Sequence, residues 1–183
     1  MKQQQPHFIL RPSILTGQMR WLPYFILAYL VLGLQIGLRG HVTIGGAWPN
    51  LVMLAAIFIG INAPRDAALL GCFGLGLLHD LVTQQPLGLF AMTYGLLAMF
   101  TVSTQQVVYR AHPLTHVSLA LVGGLLYGGI VLIHGWIRGP WLSPMMLFYS
   151  ALYTALLAPL VLGLLGRMRR AFSFQPPRRK MRL

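Results

Sequence analysis

The sequence predicts an all-α membrane protein with six transmembrane helices, and three observations carry that expectation. Only 9% of the 183 residues are charged and 56% are apolar, against about 25% charged in an ordinary globular domain. Hydrocarbon excludes ions and water does not, so the missing charge names the solvent. Apolar stretches close to the length of a bilayer crossing recur, separated by short polar breaks. The cations are sorted as well. With both termini on one side, every one of the 14 Lys and Arg residues falls on that side except Arg39 and Arg138, which is the asymmetry expected of cytoplasmic segments. An odd number of crossings would split the two basic ends.

The elements follow in order. Residues 1–20 are polar and basic, expected on the cytoplasmic side. Phe8-Ile9-Leu10 and Ile14-Leu15 fit either a short interfacial helix or a loose tail. No cleavable signal peptide is expected, because no small-residue cleavage site follows the first apolar run. The first span is read over 21–38, with Trp21 and Tyr24 at the interface. The second runs over 49–63 and opens on Pro49-Asn50, where a proline suits the first helical turn. Pro64-Arg65-Asp66 turns the chain, with Asp66 placed to cap the third span, 67–81. The second and third spans are short: fifteen residues reach roughly 22 Å against about 30 Å of hydrocarbon.

Ala68, Cys72, Gly76 and Asp80 recur at four-residue spacing in the third span. They share one face, so Asp80 is expected to point into protein where another helix comes close. The polar patch 83–86 precedes the fourth span, 87–108. The fifth, 114–137, carries a second small-residue face at Ala120, Gly124 and Gly128. The sixth, 144–165, carries a third at Ser150, Thr154 and Ala158, with Pro159 inside it to kink the helix. The membrane domain is read over 21–166, and residues 167–183 as a basic, disordered cytoplasmic tail suited to anionic lipid.

The chemistry such a chain can carry is limited. The net charge of +12 sits at the ends and in connections, with no basic stripe and interleaved aromatics, so no nucleic-acid partner is expected. The single Cys72 cannot form an internal disulfide and reads as a buried small residue. His7, His41, His79, His112, His116 and His134 fall at different depths and on both sides, so no metal site and no cofactor are expected. His79-Asp80 is the one acid–base neighbour pair, but adjacent helical residues point about 100° apart and make no dyad. Asp80 fits either a functional intramembrane carboxylate or a cap on the next segment. The glycines at 71, 74 and 76 lack the strand and lysine of a nucleotide loop. No catalytic constellation is visible, and an enzyme is not expected.

The chain resembles the rod shape-determining protein MreD family, sharply over about residues 48–100 and in hydropathy elsewhere. The matching residues are Pro49-Asn50-Leu51, an apolar span, the basic turn at Arg65, Gly71, Gly74, Gly76-Leu77-Leu78-His79-Asp80-Leu81, and Pro86-Leu87-Gly88-Leu89. The turn Asn62-Ala63-Pro64-Arg65-Asp66 and the Gln-rich loop after Asp80 depart from the family pattern. The resemblance implies a bacterial inner-membrane scaffold of the cell-elongation machinery. Its partner would be MreC, and through it MreB, RodA and a class B penicillin-binding protein. It implies a fold similar to the membrane-embedded substrate-binding subunits of ECF-type vitamin transporters. It carries over Pro49, Asn50, Gly76, Asp80 and Gly88 as motif residues. Gly124 and Gly128 are added from spacing alone, for internal packing or for docking. A small-molecule-binding transporter subunit is the alternative, since short spans point to midplane sites. A lipid-processing enzyme is a third reading, disfavoured by the lack of a second intramembrane carboxylate.

Overall fold

The computed structural model describes residues 21–83, 85–108, 113–139 and 143–167. The basic segments 1–20 and 168–183 lie outside the described residues. Among the described residues there are six α-helices: α1 (Trp21–Arg39), α2 (Leu51–Asn62), α3 (Arg65–Thr83), α4 (Leu89–Val108), α5 (Pro113–Arg138) and α6 (Pro144–Arg167).

The bundle is built around α2. Its sequence, LVMLAAIFIGIN, is apolar on every side, and a helix without a polar stripe has to be surrounded. It is: Val52 through Gly60 are all buried, and α1, α3, α4, α5 and α6 each touch it. The outer helices present one face to α2 and the other outward. Leu22, Phe25, Tyr29 and Leu30 of α1 and Leu152, Leu156 and Leu160 of α6 are exposed. Apolar surface on this scale suits lipid and not water.

Four helices, α1, α3, α5 and α6, are long and apolar enough to cross a membrane among the described residues. The expectation of six spans, the second and third of them short, is therefore met in part. The 12 residues of α2 reach only about 18 Å. The third span is longer than the sequence implied. It takes in Arg65 and Asp66 at one end and Val82 and Thr83 at the other, 19 residues in all. The Thr83 hydroxyl supports that last turn by donating to the His79 carbonyl at 2.6 Å. Asp66 lies inside the first turn of α3 and is not its cap; a carboxylate there still favours the positive helix end. Pro49 also moves: Asn50 is the N-cap and Leu51 the first helical residue, so the proline precedes the helix.

Glycines set the closest approaches. An added Cβ at Gly124 of α5 would sit 2.8 Å from the Ala151 Cβ of α6, and one at Gly60 of α2 would sit 2.8 Å from the Thr101 side chain of α4. Gly129, one residue from the α5 seam, has open space. We expect Gly124→Ala to destabilise the protein by about 1–3 kcal/mol through overpacking. Gly129→Ala should be neutral or stabilising by up to about 1 kcal/mol through helix propensity. Thermal melting of the two variants in the same detergent checks this; equal melting temperatures would contradict the packing described.

Candidate functional site

Two helices begin inside the bundle, and a beginning helix leaves its first backbone N–H groups without intrahelical partners. In hydrocarbon each such group is costly unless satisfied. The residues that solve this problem for α4 and α2 form one connected polar layer. It lies at the end of the bundle away from the Arg65 turn.

The start of α4 is held by α3. Ala68, Cys72, Gly76 and Asp80 all lie on the buried face of α3. At Gly76 the α4 backbone rests directly on the helix: a Cβ there would fall 2.4 Å from both the Phe90 carbonyl oxygen and the Ala91 Cα. One turn on, the Asp80 carboxylate reaches the exposed amides. Oδ1 accepts from the Phe90 N–H at 2.8 Å, and Oδ2 accepts from Gly88 at 2.9 Å and from Ala91 at 3.3 Å. Gly88 has φ +104°, a conformation that glycine alone adopts without strain. It turns that N–H back toward the carboxylate. Asp80 is thus the cap of the following helix, supplied from the preceding one, and its negative charge sits on the positive end of α4.

The start of α2 is held from three sides. The Asn50 Oδ1 accepts from the Met53 N–H at 2.9 Å, as an N-cap does. The Gln35 amide of α1 bridges the chain before and after it, donating to the Pro49 carbonyl at 3.1 Å and accepting from the Leu51 N–H at 2.7 Å. From α6, Thr154 Oγ1 accepts from the Asn50 N–H at 2.9 Å, and Ser150 Oγ accepts from the Trp48 N–H at 3.2 Å.

Tyr94 of α4 joins the two starts. Its hydroxyl lies 3.0 Å from His79 Nδ1 and 3.4 Å from Asn50 Oδ1. One hydroxyl proton serves both contacts if the imidazole Nδ1–H donates to Tyr94 and Tyr94 donates to Asn50. The rings stack in the same layer. His79 and Phe90 centroids are 4.3 Å apart, and Phe90 and Tyr127 of α5 are 5.6 Å apart.

Five of the residues singled out from sequence, Pro49, Asn50, Gly76, Asp80 and Gly88, are brought to this layer. Gly124 and Gly128 belong to the α5–α6 seam, against Ala151 and Leu147. The roles of Gln35, His79, Tyr94 and Tyr127 were not anticipated, nor was the acceptor that Thr154 offers the Asn50 N–H. Their only signal is polarity or aromaticity inside apolar spans. Among the described residues, a cavity of about 20 Å³ lies against Asn50, Gly124 and Thr154 and another of about 80 Å³ lies between α1 and Trp48. Among the described residues no three His, Cys, Asp or Glu side chains gather to hold a metal.

This is a polytopic helical membrane protein whose polar layer joins helices to one another. The family model for rod shape-determining protein MreD matches residues 15–168, and the chain belongs to that family, which acts in determining rod shape. No curated protein and no solved structure matches the chain. The implied likeness to vitamin-transporter subunits therefore has no support.

Removing the Asp80 carboxylate should leave the Gly88, Phe90 and Ala91 amides without it. We expect Asp80→Asn, which keeps one acceptor, to cost about 1–3 kcal/mol, and Asp80→Ala to cost about 3 kcal/mol or more. Denaturant titration in mixed micelles gives the order; an alanine variant as stable as the parent would refute the cap.

Proposed function

We propose that this protein is a non-enzymatic integral scaffold of the bacterial cell-elongation machinery that binds MreC in the inner membrane. The family match over residues 15–168 carries the reading. In the proposed arrangement the chain crosses six times, with both termini cytoplasmic and the polar layer toward the periplasmic side. The cation distribution supports it, since only Arg39 and Arg138 fall outside. MreB, RodA and a class B penicillin-binding protein would be reached through the same assembly, and the basic tail would meet anionic lipid.

The geometry favours a scaffold over a transporter subunit. The cavities beside the motif residues, about 20 and 80 Å³, fall well below the roughly 300–1,000 Å³ of small-molecule pockets. The motif's carboxylate and amide oxygens are already bonded to the Gly88, Phe90, Ala91 and Met53 N–H groups. For docking, α1 offers the freest surface. Among the described residues it packs on α2 and α3 only, and Gly33 and Gly37, four residues apart, have open space around them. That spacing lets another transmembrane helix approach closely.

Affinity purification in mild detergent tests this. MreC should be recovered with the wild-type protein. Gly33→Leu combined with Gly37→Leu should lower that recovery several-fold while leaving the melting temperature unchanged. Undiminished recovery would remove α1 as the docking surface, and no MreC with the wild type would remove the scaffold reading.

A further inference from the structure

Arg39 is a cation that the helix-start layer does not use. It ends a 19-residue helix, which spans about 28 Å. With Trp21 at one interface, Arg39 stands at the other. Its guanidinium carbon lies 4.6 Å from the centroid of the Trp48 ring, a cation–π contact that fixes its direction. Among the described residues no carboxylate is at hand to neutralise it. The chain has two acids; Asp80 is held by the α4 amides, and Asp66 lies in the first turn of α3, at the other end of the bundle. The side chain is exposed. A guanidinium presents five donors in a fork that matches phosphate oxygens.

Beside it lies the cavity of about 80 Å³. Leu38, Val42, Pro49 and Leu51 wall it with Trp48. Gln35 also lines it, but both ends of its amide are already bonded to the chain around Asn50. The result is an apolar pouch with one oriented cation at its rim. A water-sized group needs about 10–15 Å³, so the pouch takes several. A free anion would meet the cation and leave the pouch without a matching partner. A phosphodiester that carries hydrocarbon meets both.

We propose that Arg39, Trp48 and the pouch behind them bind a phosphate-bearing amphiphile, with the phosphate on the guanidinium and the adjoining glycerol and methylenes in the pouch. The site does not depend on the partner-docking reading.

Native mass spectrometry of the full chain, released from detergent with phosphatidylglycerol, diacylglycerol or inorganic phosphate added separately, tests it. Phosphatidylglycerol should be retained, and diacylglycerol, which lacks the phosphate, should not. Arg39→Gln should cut the retained fraction roughly tenfold. Arg138→Gln, which removes the corresponding cation in the last turn of α5, should leave it unchanged. If Arg39→Gln is not recovered folded, Trp48→Leu keeps the charge and should still lower retention. Equal retention in these Arg39 or Trp48 variants, or equal retention of diacylglycerol, would overturn the site. Arg39-dependent retention of inorganic phosphate without any lipid adduct would keep the anion site and overturn the lipid.

Discussion

A backbone amide placed in hydrocarbon has to find an acceptor, and here three of them find the same one. The Gly88, Phe90 and Ala91 N–H groups converge on Asp80. A hydrogen bond to a charged acceptor contributes about 1.5–3 kcal/mol, and an unmet buried donor costs a similar amount. The contact is possible because Gly76 lets the α4 backbone settle on α3. Any side chain there would lift α4 away from the carboxylate. The motif glycine and the motif aspartate, one turn apart, are two halves of one device.

The same constraint explains the rest of the layer. The start of α2 lies within the bundle because Gln35, Asn50 and Thr154 accept from the Leu51, Met53 and Asn50 N–H groups in turn. Tyr94 and the ring stack then tie that start to the α4 start. Polar groups therefore concentrate at one end, where α1 also ends on Arg39. The middle of α2 stays wholly apolar. An internally bonded end with exposed apolar flanks is how this member of a rod shape-determining family holds its short helix inside the bundle.

Much of this was legible in the chain. The near absence of charge gave the membrane, and the four-residue recurrence of small residues placed Asp80 on the buried face of α3. The target of Asp80 was not legible, because backbone amides eight to eleven residues on carry no mark in a sequence. Gln35, Tyr94 and Thr154 escaped for a related reason: their partners lie 16, 44 and 104 positions away. The third span read as too short because hydropathy drops at Arg65, Asp66 and Thr83. Helix continuity there is set by backbone hydrogen bonding and by the Thr83 hydroxyl, not by apolarity.

The capped start of α4 can be observed without altering the chain. Amide hydrogen exchange across residues 86–92, followed by mass spectrometry with the protein in lipid nanodiscs, reports directly on the Gly88, Phe90 and Ala91 N–H groups. The account predicts protection there comparable to the interior of α3, despite the position of these amides at a helix start. Exchange as fast as that of the exposed turn at Gly45-Gly46 would contradict it.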